Sequence, residues 1–161
     1  MTNIANITRT IEPPVRPPES AEQSGLRHLE VNVIFTGTKA TALALKTASR
    51  LAADLNARIR ILAAFAVPVR LPLDHPQVSV AFMEKLLGDL VSQLPDEAPE
   101  ATGHIYLCRE RMETFSRVLL PNSLVVLAGP KRPWRTDESR IAQRLQSGGH
   151  RVIFVPLGSR N

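Results

Sequence analysis

Two places in the chain carry residue types that can hold an anion. Thr36-Gly37-Thr38 closes an apolar run beginning at Val31, and Gly129 closes a second, Ser123 to Ala128. Directly after Gly129, Lys131-Arg132-Pro133-Trp134-Arg135 brings Lys131, Arg132, Arg135 and the sole tryptophan to the start of a predicted helix, with Thr136 or Asp137 as its N-cap. Cations there would hold a phosphate or carboxylate by charge, assisted by the positive end of the helix dipole. The other reading is a solvated basic loop with Trp134 packed across the helix below it.

Residues for covalent or acid–base chemistry do not converge. His28, His75, His104 and His150 are scattered, His104 and His150 each before a predicted strand, and none has metal-ligand spacing to a cysteine or another histidine. Ser123 and Ser139 lack the G-x-S-x-G turn that exposes a nucleophile. The single cysteine, Cys108, excludes an internal disulfide and reads as a small buried hydrophobe at a strand end. The chain is therefore read as non-enzymatic, without a metal.

The elements that position these residues follow from periodicity. Val31, Val33, Ile34 and Phe35 are too few for a helix and rich in β-branched types, as a strand buried on both faces should be. Ala44, Ala48, Leu51, Ala52 and Leu55 then fall on one face of a helix, which Asn56 ends in a left-handed conformation before a second strand, Ile59 to Phe65. A long connection through Pro68, Pro72 and Pro76 is expected to act as a lid or binding segment. It leads to a helix with Phe82, Leu86 and Leu90 inward, together with Met83, Leu87 and Leu94. A strand at Ile105–Cys108, a helix through Phe115, a strand at Leu124–Ala128, a helix through Ile141 and a strand at Val152–Val155 complete the series.

Strands alternating with helices predict an α/β fold: a single open, mainly parallel five-stranded sheet with helices on both faces. Ligands of such sheets sit beyond the carboxyl ends of the strands where strand order reverses, which points to Thr36, Gly37, Thr38 and Gly129. Residues 29–157 are read as this domain, and 158–161 as a tail. Pro13, Pro14, Pro17 and Pro18 among charged residues predict a disordered, proline-rich leader over 1–28, with little apolar surface to bury. Pro14 and Pro17 also have the spacing of a polyproline ligand.

The 161 residues, 43% of them hydrophobic, suffice for one core. No stretch is apolar enough to span a membrane and no secretory signal pattern opens the chain, so a cytoplasmic location is expected. From Gly103 onward ten Lys or Arg face four acids, while the preceding part holds ten against eleven. That asymmetry favours anionic partners. With one Trp, one Tyr and five Phe and no recognition motif, a stacking surface for nucleic acid is not expected.

Val33 to Phe65, Leu124 to Gly129, Ser139 to Leu145 and Val152 to Pro156 resemble, in order and spacing, the opening and closing halves of a universal stress protein domain. The resemblance implies a strand order of 3-2-1-4-5 counted over the five predicted strands, homodimers joined through the fifth, and, in one branch of the family, an ATP site. ATP-binding members carry an acidic residue where this chain has Thr36, and a G-x2-G-x9-G-[S/T] phosphate loop after the fourth strand. Gly129 matches its first glycine, but Arg132 stands at the second, Ser139 at the third and Arg140 at the Ser/Thr. Glycines let backbone N–H groups reach phosphate oxygens, and arginine or proline closes that geometry. The expectation is a stress-associated regulatory module with a degenerate ATP site and no tightly bound cofactor. Two copies would pair through Val152, Ile153, Phe154 and Val155, an apolar edge that is hazardous if left bare, and a further protein partner fits this class. The rival is a nucleotide- or anion-binding protein that uses the basic loop.

Overall fold

The computed structural model describes residues 6–11, 29–130 and 136–158; within the first of these stretches, Ile7 is the side chain described. The elements run β1 (Asn6–Ile11), β2 (Glu30–Ile34), α1 (Thr38–Leu55), β3 (Arg58–Ala66), α2 (Val80–Ser92), β4 (Ala101–Cys108), α3 (Arg111–Val118), β5 (Leu124–Pro130), α4 (Asp137–Ser147) and β6 (Arg151–Leu157). Every neighbouring pair of strands is parallel, in the order β1-β4-β3-β2-β5-β6. Without β1 this is the expected five-stranded sheet in order 3-2-1-4-5.

The additional strand corrects the reading of 1–28 as a leader without regular structure. Asn6 to Ile11 pairs in parallel with Thr102 to Leu107 and forms one edge of the sheet. The prolines that argued against structure all lie beyond Ile11, so they place no bar on this segment.

Alternation along the strands divides the core into two layers. Val31, Val33, Ile59, Ile61 and Ala63 face α1 and α2, packing on Ala44, Ala48, Met83 and Leu87. Ile34, Leu62, Ala64, Val125 and Leu127 face α3 and α4, packing on Phe115, Val118, Ile141 and Leu145. Period two in the strands thus meets period 3.6 in the helices on both faces. Cys108 is buried at the end of β4, as its small apolar character suggests.

Local chemistry sets several element ends. Asn56 adopts φ 53°, ψ 44° after α1, and Ala57 N–H donates to Ala52 O at 2.8 Å, the left-handed stop that the sequence predicts. Ser79 caps α2 through a bond from Phe82 N–H, and Phe82 itself stays exposed. The buried stripe of α2 is Met83, Leu87, Leu90 and Val91, so the expected inward position of Phe82 is corrected. Leu55, expected on the buried face of α1, is likewise exposed, being the last residue before the chain turns at Asn56. His104 lies within β4 rather than before it, whereas His150 does precede β6. The connection through Pro68 and Pro72 is strapped to the end of β4. Arg109 Nη1 lies 3.1, 2.6 and 2.8 Å from the carbonyl oxygens of Val67, Pro68 and Leu71.

Candidate functional site

Strand order reverses between β2 and β5: α1 carries the chain to β3 on one side, while α3 returns it across β2 to β5. The carboxyl ends of these two strands are where a ligand of this fold class would bind. Their ladder runs from Val31↔Leu124 to Val33↔Val126, and a side chain continues the junction past it. Thr36 Oγ1 donates to Ala128 O at 2.7 Å, while Thr36 N–H donates to Thr41 Oγ1 at 3.1 Å. Thr36 therefore spends its hydroxyl proton tying the two strand ends together.

Gly37 follows with φ 140°, ψ 160°, a left-handed region in which side chains are strained, and a Cβ there would meet no atom within 4 Å. Its carbonyl accepts from Thr41 N–H at 2.9 Å, and Thr38 opens α1 on the surface.

Gly129 has a different reason to be glycine. A Cβ at this position would lie 2.7 Å from Glu138 Cβ, 2.8 Å from Glu138 Cγ and 3.3 Å from Phe154 Cζ. The first turn of α4 and the ring of Phe154 occupy the space beside it. The same turn is closed by its own residues: Ser139 N–H donates to Thr136 Oγ1 at 3.1 Å, and Thr136 N–H donates to Ser139 Oγ at 3.0 Å. This reciprocal cap satisfies donors that a bound anion would otherwise use. Asp137 and Glu138 add negative charge at the positive end of the helix. Arg140 extends from the next turn as an exposed side chain, its Nη1 3.9 Å from Asp137 Oδ1. Thr136, one of the two cap residues the sequence offers, takes that role.

Two cavities open near the junction. One, of about 370 Å³, is lined by Phe35, Thr36, Gly37, Ala64, Phe65, Ala66 and Arg111; it lies over the ends of β2 and β3, and the rings of Phe35 and Phe65 are 5.9 Å apart. The other, of about 470 Å³, lies between the starts of α3 and α4 and includes Arg111, Arg140 and Arg144 with Glu110 and Asp137. Arg111 borders both, and its Nε is buried without a hydrogen-bond partner among the described residues. Both carboxylate oxygens of Glu110 are engaged at the start of α3, accepting from Met112 N–H and Glu113 N–H.

The structure thus brings Thr36, Gly37 and Thr38 to the junction, with Gly129, Ser139 and Arg140 on its far side. Lys131, Arg132 and Arg135, with Trp134, lie outside the described residues. Val152, Ile153, Phe154 and Val155 are half-buried on the edge strand β6, whose partner within the sheet is β5. Arg111 escaped the sequence reading. Its signal was its place just after the β4 strand, at a carboxyl end, where the same positional rule applies.

Titratable groups are dispersed. His150 Nδ1 accepts from Ser123 N–H at 3.2 Å, and partial burial lowers its pKa. Asp74 is lowered by its hydrogen bond with His75, both in solvent. Among the described residues, no three metal-ligating side chains gather, and no helix is long and apolar enough to cross a membrane.

No protein-family model matches the chain, and no curated protein matches it by sequence. Solved structures do match by fold. A universal stress protein from Archaeoglobus fulgidus aligns with a TM-score of 0.53 at 9% identity, over 83% of this chain and 98% of that one. A universal stress protein crystallised in complex with cAMP aligns at 0.48 with 12% identity, over 81% and 98% of the two chains. A macrolide-efflux protein from Streptococcus pneumoniae aligns at 0.47 with 14% identity, over 92% and 49%. The match to the Archaeoglobus fulgidus structure makes the fold universal-stress-protein-like.

Proposed function

We propose that this chain is a stress-associated regulatory module of universal-stress-protein type that works by association rather than by catalysis or by ATP binding. The observation that carries this reading is the packing of Glu138 against Gly129. The glycine that matches the family's phosphate loop faces a helix turn, and the first donors of that helix are closed by Thr136 and Ser139. Thr36, with its proton on Ala128 O, supplies no charge at the opposite wall. The cavity beside Gly37 is bordered by Phe35, Ala64, Phe65 and Ala66 together with Thr36 and Arg111, so Arg111 is the one charged side chain among the described residues that lines it.

In this reading two copies join through β6, covering Val152, Ile153, Phe154 and Val155 across a twofold axis. The module acts in the cytoplasm, where the single cysteine, Cys108, stays reduced. The test is to purify the full chain and examine what travels with it. A dimer by sedimentation, with no nucleotide released on denaturation, supports the reading; stoichiometric ATP in the purified protein overturns it.

A second reading is favoured by one observation, the Arg111 Nε that has no hydrogen-bond partner among the described residues, in a cavity that Arg140 and Arg144 also border. Those cations, with Lys131, Arg132 and Arg135, would hold a phosphate-bearing ligand by charge. Here inorganic phosphate shifts Trp134 fluorescence saturably at physiological salt, and Lys131→Ala/Arg132→Ala removes the response. A flat titration rejects this second reading.

A further inference from the structure

Three arginines gather around one groove on the α3/α4 face of the sheet. The cavity of about 470 Å³ between the starts of these helices is lined by Arg111 from α3 and by Arg140 and Arg144 from α4. Arg140 and Arg144 stand four residues apart on α4, both exposed, in a spacing at which like charges repel and weaken a helix. Acids within the fold do little to offset them. Glu110 gives both carboxylate oxygens to the backbone N–H groups of Met112 and Glu113. Asp137 Oδ1 is 3.9 Å from Arg140 Nη1, with both side chains mostly in solvent. Arg111 and Arg144 have no ion pair among the described residues, and the buried Arg111 Nε has no hydrogen-bond partner there.

Spacing indicates which anion fits. Side chains four apart on a helix have Cβ atoms about 5–6 Å apart. A single carboxylate or phosphate carries its oxygens on one atom, so it meets one of the two arginines unless both bend toward it against their own repulsion. In an extended chain, residues i and i+2 point to the same side and lie about 6.6 Å apart. Two acidic side chains at that spacing present one carboxylate to each arginine. Met112 and Ile141, which also line the groove, offer apolar surface to the methylene stems of glutamates.

We infer that the groove between α3 and α4 docks an extended acidic segment of a partner protein, with glutamates at alternate positions facing Arg140 and Arg144 and with Arg111 adding a third positive charge. The inference rests on the reading of this chain as a module that works by association, and it names the surface and the chemistry of what is bound. Exposed ion pairs are individually weak and screened by salt. The docking is therefore reversible and falls off as ionic strength rises.

The test compares two labelled, end-capped peptides of one composition, Glu-Thr-Glu-Thr-Glu-Thr-Thr and Glu-Thr-Thr-Glu-Thr-Thr-Glu, on the full chain by fluorescence anisotropy at low salt. The first should bind saturably and at least tenfold more tightly than the second. Arg140→Gln/Arg144→Gln, at exposed positions where glutamine keeps helix propensity, should weaken the first peptide at least tenfold without changing the melting temperature. Lys39→Gln/Lys46→Gln, on α1 across the sheet, should leave it unchanged. Equal binding of the two peptides, or equal losses in the arginine and lysine pairs, shows general attraction to a basic chain and overturns the inference. Should the arginine pair fail to fold, the comparison of the two peptides on the unmodified chain decides alone. Displacement of the first peptide by inorganic phosphate at equal concentration assigns the groove to a small anion and also overturns it. Absence of binding in a chain free of nucleotide overturns the groove and not the association reading. Stoichiometric ATP in a chain that still prefers the first peptide overturns the association reading and not the groove.

Discussion

Glu138 and Gly129 are packed so closely that a β-carbon on the glycine would stand 2.7 Å from that of the glutamate. The two residues lie at the start of α4 and the end of β5, and their contact packs these two elements directly against each other.

Gly129→Ala is therefore expected to destabilise the chain by about 1–3 kcal/mol through overpacking. The added methyl meets Glu138 near its backbone, so a rotamer change gives no relief. In a Glu138→Gly background, itself costing about 1 kcal/mol of helix propensity, the same substitution should cost markedly less. Denaturant unfolding of the four chains yields the coupling. Additive effects would show that Gly129 is not held by this contact.

Thr36→Val should cost about 0.5–1.5 kcal/mol, because it leaves Ala128 O without the hydroxyl that reaches it at 2.7 Å. Thr36→Ser retains the bond and should stay close to the parent. A loss in Thr36→Ser with none in Thr36→Val would place the role of Thr36 in its methyl group instead.

Most of the scaffold was legible in the sequence because its signals are local. The β2–α1–β3 unit follows from a short β-branched run, an amphipathic helix and Asn56 in a left-handed cap, all within residues 30–66. Position narrows the α4 cap to Thr136 or Asp137, and Thr136 takes it. What was not legible depends on residues far apart in the chain. Residues 6–11 pair as a strand with β4, where Ile7 packs closely against Gly103, nearly one hundred positions away. Gly129 was recognisable as a special position, but its cause appears only when α4 is laid over β5. Arg111 is marked in the sequence only by its place after the β4 strand; that it borders two cavities depends on β2, β3 and α4, which lie far from it in the chain.

Stability should weaken below neutral pH through His150. Burial lowers its pKa, so the folded state prefers the neutral ring and the unfolded chain binds the proton more readily. The contribution is fully present above the ordinary imidazole value of about 6.5, and it is lost as pH falls from there through the lowered folded value. Protonation would also remove the Nδ1 acceptor used by Ser123 N–H. Thermal melts between pH 7.5 and 5 should show a slope that His150→Asn reduces; an unchanged slope assigns it to other groups.

The β6 edge leads to a prediction about assembly. Burying an apolar side chain fully contributes about 1.5–3 kcal/mol, and Val152, Ile153, Phe154 and Val155 are each half-buried in the single chain. Phe154→Glu should convert a micromolar dimer into a monomer of unchanged far-ultraviolet circular dichroism. A monomer before the substitution, or a dimer after it, contradicts association through this strand.

The most direct test of the central claim is a calorimetric titration of the full chain with Mg-ATP at physiological salt. With Glu138 packed on Gly129 and the first turn of α4 capped by Thr136 and Ser139, the account predicts no saturable heat at micromolar ligand. A stoichiometric isotherm with a sub-micromolar dissociation constant would contradict it.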